Sequence, residues 1–137
     1  MEKPKVLVTG YDFRKRIQIC AEISQACKEE DIEACVTSTS SEHGVEMHTE
    51  VNTIALAFVH VRRKPTFGLK ALQSLHHHKI PKYTIADNKK DEPNGAQNYR
   101  QQCIQRNPNY LDSYKKELRG AVLRHLSEQS GKYKNEI

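Results

Sequence analysis

The stretch Ile54-Ala-Leu-Ala-Phe-Val-His-Val61 decides the fold. Apolar side chains stand at nearly every position rather than at alternate ones, so this strand must be covered on both faces, as in the interior of a parallel sheet. Lys5-Val-Leu-Val-Thr-Gly10 is a second run of the same kind, closed by the Thr-Gly pair that opens a loop. Lys82 to Ala86 gives a further strand after the Ile80-Pro81 break, and the β-branched segment Ile32 to Thr37 another.

Between the strands the spacing changes to three and four. Phe13, Ile17, Cys20, Ile23 or Ser24, and Cys27 predict an amphipathic helix over about 12–30, with Asp12 as its N-cap. Leu69, Leu72 and Leu75 or His76 predict a helix over about 66–78. Ser38 to Glu50, polar and carrying Gly44, reads as a loop or a poor helix. Asn94-x-x-Gln97 has the form of a capping box opening a helix through Ala96, Tyr99 and Cys103, which Asn107-Pro108 stops. Leu111, Tyr114, Leu118, Val122 and Leu126 mark a last helix, with Gly131 just past its end. Strands that alternate with helices imply right-handed crossovers. The expectation is therefore a three-layer α/β fold. Its four-stranded parallel sheet has order 2-1-3-4, helices on both faces and an extra C-terminal helix. One domain over residues 1–131 and a flexible tail over 132–137 complete it.

The 137 residues are 36% hydrophobic and 28% charged, with a net charge of +5, and hold no apolar run of the roughly 18 residues needed to span a bilayer. Met1-Glu2-Lys3-Pro4 passes straight into the first strand, which predicts no signal peptide and a cytoplasmic protein. Cys20, Cys27, Cys35 and Cys103 form no C-x-x-C pair, consistent with a reducing compartment. Membrane, secreted and collagen-like classes are excluded on this reading. The charge is uneven: residues 1–61 carry 6 basic and 10 acidic groups, whereas residues 62–90 carry 8 basic and 1 acidic. That basic stretch suits a phosphorylated ligand, an acidic protein or nucleic acid.

In such sheets ligands bind beyond the carboxyl ends of the strands, where the strand order reverses. That rule gathers Thr9, Gly10, Tyr11, Asp12, Arg14 and Lys15 around one crevice with His60, Arg62, Arg63, Asp87 and Asn88. Helix N–H groups there favour an anion, and the cations Arg14, Lys15 and Arg16 on the first turn, which oppose the macrodipole, make more sense beside a negative partner. A solvated first turn explains them equally well. His60, interrupting an apolar strand, reads as a core histidine bonded to a carbonyl, or as an acid/base group oriented by Asp87. His76-His77-His78 cannot converge on one ion, since adjacent helical residues point about 100° apart. No metal site and no cofactor is expected, and no phosphate-loop, dinucleotide or zinc-protease motif is present.

The strand runs at Lys5–Gly10 and Ile54–Val61, with Pro81-Lys-Tyr-Thr-Ile-Ala-Asp87 followed by Asn94-Gly95, resemble the lactose/cellobiose-type B component of the bacterial sugar phosphotransferase system over roughly residues 4–105. The resemblance implies a four-stranded parallel sheet and a phosphate-binding loop after strand one. In that family a cysteine at the strand's end carries the phosphoryl group. No cysteine stands near Thr9-Gly10 here, and Tyr11 to Arg16 replace the small loop, so a phosphocarrier's thiolate chemistry has no nucleophile. The expected function is thus a cytoplasmic anion- or phosphate-binding regulatory domain, and catalysis is not the leading expectation. Its partner would be an anionic small molecule or a phosphorylated protein. A small enzyme using His60 and Asp87 on a phosphorylated substrate is one alternative. An adaptor for nucleic acid or an acidic protein through residues 62–90 is another. A homodimer through the apolar face of the C-terminal helix is also open.

Overall fold

The computed structural model describes residues 3–51 and 53–135, with side chains as far as Ser127. Five strands, β1 (Lys5–Gly10), β2 (Cys35–Thr39), β3 (Ile54–His60), β4 (Lys82–Ala86) and β5 (Cys103–Gln105), form one parallel sheet in the order β2-β1-β3-β4-β5. The helices are α1 (Phe13–Glu29), α2 (Glu42–Val51), α3 (Leu69–His77) and α4 (Leu111–Asn135). α1 and α4 cover one face, packing Ile19, Ile23, Tyr114, Leu118 and Val122 against Val6, Val8, Leu56 and Phe58. α2 and α3 cover the other, with Val45, Leu72 and Leu75 against Leu7, Ala57 and Val59.

The sheet has five strands, not four. Residues expected to continue a helix through Cys103 instead make a single turn at Ala96–Asn98 and then β5, whose Ile104 is 1% exposed. Gly95, at φ 92°, precedes that turn, and the Asn94 side chain accepts from Arg63 instead of capping it. The segment 42–51, expected as a loop or poor helix, is α2, held by buried Val45. β2 starts at Cys35 because Ile32 closes the C-terminus of α1, its N–H reaching the Cys27 carbonyl at 2.8 Å. Most of the apolar face of α4 is spent on the core: Tyr114, Leu118, Val122 and Leu126 are at most 1% exposed, and of the residues that marked this face only Leu111, at its start, is exposed, at 43%. α4 runs on to Asn135, past Gly131 where the sequence placed its end, so residues 132–135 of the expected tail are helical, while 136–137 lie outside the described residues.

α1 is capped by Asp12, whose Oδ1 accepts from the Lys15 N–H at 3.1 Å, as the sequence predicts. Its buried stripe is turned, however. Arg16, Ile19, Ile23, Ala26 and Cys27 face inward, whereas Phe13 and Ile17 are 64% and 50% exposed. The buried Arg16 donates to the Gly10 carbonyl at 2.8 Å, fixing that rotation.

α3 starts at Gly68, where φ is 110° and an added Cβ would lie 2.8 Å from Val61 Cγ1. Gly68→Ala is therefore expected to cost about 1–3 kcal/mol through backbone strain and overpacking, read as a lower urea midpoint with unchanged slope.

Candidate functional site at the β1/β3 crevice

The strand order reverses between β1 and β3, and Gly10 lies beside His60 where those strands end. A Cβ on Gly10 would stand 3.0 Å from the Cβ of His60, so glycine is what allows the imidazole to lie there. His60 is 1% exposed, and its Nε2 meets Asp87 Oδ1 at 3.0 Å. The other carboxylate oxygen of Asp87 accepts from Lys15 Nζ on the first turn of α1. The pair of groups singled out in the sequence is thus brought together, with Lys15 as a third member.

The cluster is electrostatically self-contained. The hydrogen bond from His60, with a further one from Lys15, holds the Asp87 carboxyl well below the usual carboxylate range against the opposing effect of burial. The bond to Asp87 in turn raises the Lys15 ammonium above its ordinary value. Asp12 is lowered, chiefly by the Lys15 backbone N–H that it caps. His60 Nδ1 and Arg16 Nε, both buried beside Gly10, have no hydrogen-bond partner among the described residues.

A stack of rings closes the crevice from above. Tyr11 lies over His60 with centroids 5.3 Å apart and planes 12° from parallel, and Phe67 meets Tyr11 edge-on at 6.0 Å. The Arg62 guanidinium sits 3.9 Å from the centre of the Tyr11 ring, a cation–π distance. Arg62 is steadied by its own loop: Nε donates to the Pro65 carbonyl at 3.0 Å, and its backbone bridges to Phe67.

The remaining expected residues divide. Arg14 is exposed at the rim, and Arg63 is exposed while donating to Asn94 at 2.7 Å. Asn88 caps the turn Lys89–Asp91. Thr9 is 1% exposed and shares Leu7's side of the sheet, so it does not line the crevice with its neighbours. The basic stretch is split: Arg62, Arg63, Lys64, Lys89 and Lys90 follow the carboxyl ends of strands, whereas Lys79 and Lys82 lie at the opposite, amino-terminal end of β4. Lys82 is buried there, its ammonium on the Ile80 carbonyl at 2.7 Å. His76, His77 and His78 are exposed, and no group of three or more metal-ligating side chains is found among the described residues. Neither Tyr11's stacking nor Lys15's pairing had a local signal, because the partners are remote in sequence.

No protein-family model and no curated protein sequence matches this chain. Solved structures do share its fold. The response regulator TrrA of Thermotoga maritima, determined in complex with Mg(2+)-BeF, superposes with a TM-score of 0.61 at 11% identity, covering 84% of this chain and 98% of that one. The response regulator domain of Thermotoga maritima CheB gives 0.66 at 9%, covering 92% and 98%. The signal receiver domain of an HD domain-containing protein from Pseudomonas fluorescens gives 0.66 at 9%, covering 95% and 99%. The chain therefore has the receiver-like α/β fold. The resemblance to the sugar phosphotransferase B component is overturned: the five-stranded sheet in the order 2-1-3-4-5 matches receiver domains, and the shared strand runs reflect only the buried parallel strands common to both plans. No helix among the described residues is long and apolar enough to cross a membrane.

Proposed function

We propose that this chain is a regulatory binding domain that accepts an anionic group, phosphoryl in kind, at the β1/β3 crevice through non-covalent contacts. The observation that carries the reading is the convergence of Lys15 and His60 on Asp87 at the N-terminus of α1. Cations and a helix end make a seat for negative charge, and the protein's own carboxylate sits in it. A phosphoryl dianion competes with Asp87 for Lys15, with Arg14 and Arg62 at the rim. Engaging Arg62 withdraws it from Tyr11, which loosens the ring stack and changes the surface offered to a partner.

The similarly folded regulator TrrA of Thermotoga maritima was determined with Mg(2+)-BeF, but the residues here do not fit a magnesium ion. Mg2+ needs oxygen ligands in near-octahedral array. The two carboxylates of this crevice are committed, Asp12 to the helix cap and Asp87 to Lys15 and His60, and the Lys15 ammonium repels a second cation. An enzyme acting through His60 is the weaker reading, since its imidazole is 1% exposed beneath Tyr11.

Titrating the 15N-labelled chain with inorganic phosphate to millimolar concentration tests this. Shifts are expected at Gly10 to Arg16, His60 and Arg62, equally with and without Mg2+. Absence of any shift in that group sinks the reading, and a strict need for Mg2+ sinks its metal-free form.

A further inference from the structure

We propose that the free edge of β2 pairs with β2 of a second copy of this chain, joining two sheets into one. β2 is bonded only to β1 among the described residues. The Cys35 N–H reaches the Pro4 carbonyl at 2.9 Å, so Cys35, Thr37 and Thr39 turn their backbone groups toward β1. Alternation along the strand sends the N–H and C=O of Val36 and Ser38 outward, a row of donors and acceptors that an extended strand satisfies.

The means by which edges are usually blunted are missing here. Cys-Val-Thr-Ser-Thr carries no proline, no lysine and no carboxylate, and the register shift of the sheet lies between β1 and β3. Apolar side chains bracket the edge instead. On α1 the Cys20 thiol bonds to Ser38, and Phe13 and Ile17 continue that same stripe toward the helix start. On α2, Glu46 and Glu50 line a cavity with Lys70, Gln73 and His77 of α3, so Met47 and Val51, further round the helix, lie on the flank away from α3. Phe13, Ile17, Met47 and Val51 are four of the seven exposed large hydrophobics among the described residues.

A second copy is the occupant that this chemistry selects. Antiparallel pairing about a two-fold axis at Thr37 sets Val36 against Ser38 of the second copy and Thr37 against its own mate, places no ionic groups opposite each other, and keeps α1 beside α1 and α2 beside α2. Threonine opposite threonine is a favourable cross-strand pair. The inference is independent of the anion reading, because it uses the opposite edge of the sheet from β5 and none of the crevice side chains.

Sedimentation equilibrium of the full chain, with amide exchange at the same concentrations, tests it. Dimer is expected at high concentration, with the Val36 and Ser38 amides protected there and released on dilution, while core amides such as Val59 stay protected throughout. Cys35→Lys, at an exposed position, should weaken the dimer at least tenfold by putting on the pairing edge the lysine with which such edges are commonly blunted. The proposal is overturned by a single-chain mass at every concentration. A dimer whose Val36 and Ser38 amides exchange freely, or one indifferent to Cys35→Lys, also overturns it. So does an edge that takes a foreign extended peptide while the chain itself stays monomeric.

Discussion

Asp87→Asn is expected to bind inorganic phosphate at least tenfold more tightly than the parent chain. Asparagine keeps the shape and the contact with His60 but removes the charge that occupies the seat, so Lys15 is left without its counter-ion. Two unit charges about 4 Å apart interact by about 4 kcal/mol in a surface-like dielectric, and tenfold asks for only about 1.4 kcal/mol of that. The same change should lower stability at neutral pH by about 1–2 kcal/mol, a figure reduced for solvent because the Lys15 and Asp87 side chains are 37% and 30% exposed.

The pH dependence has a defined sign. The folded-state carboxyl of Asp87 lies below its unfolded value, so its contribution is present above the unfolded value of about 3.9 and is lost as pH falls through the folded one. The stability gap between parent and Asp87→Asn should therefore shrink progressively below about pH 4. Isothermal titration with phosphate and urea melts at neutral and acid pH read both effects. Equal phosphate affinity in the two chains would remove the idea that Asp87 occupies the anion seat.

Tyr114→Ala should remove about 3–5 kcal/mol, enough to leave a marginally stable domain largely unfolded at ambient temperature. Tyr114 is 0% exposed between α4 and the sheet, and its hydroxyl donates to Glu22 Oε1 of α1 at 2.8 Å. The same oxygen accepts from Arg106 Nε at 3.0 Å, and the Arg106 N–H reaches the Ala86 carbonyl at 2.8 Å. Truncation opens a void and also unties the point where α1, α4 and the end of β5 meet. Tyr114→Phe keeps the ring and should cost only about 0.5–1.5 kcal/mol, because Glu22 retains Arg106. Urea denaturation of both variants decides it; a loss under about 1 kcal/mol for alanine would mean that α4 is not integral to the core.

The fold was legible wherever the pattern was local. β1 and β3 carry continuous apolar runs, β4 follows the Ile80-Pro81 break, and the Asp12 cap needs only the three residues after it. β5 escaped because three residues carry no periodicity, and because Asn94 and Gln97 imitate a cap whose asparagine is taken by Arg63, 31 positions away. α2 was left between loop and poor helix because a 10-residue helix that contains a glycine and buries one side chain gives a weak signal.

The crevice follows the same division. Topology alone puts Gly10, His60 and Asp87 at neighbouring strand ends, and the sequence determined that much, because buried parallel strands must be joined by crossovers of one hand. Only the tertiary structure decided that the seat is filled from within, that Tyr11 and Arg62 roof it, and that α1 turns Arg16 inward while Phe13 and Ile17 stay outside. Lys15 and Asp87 are 72 residues apart, and which side chains meet across that distance depends on how the layers pack. A helix offers several adjacent stripes within a small rotation of one another, and the one that is buried is chosen by the hydrogen bond and packing partners it finds, not by its own spacing.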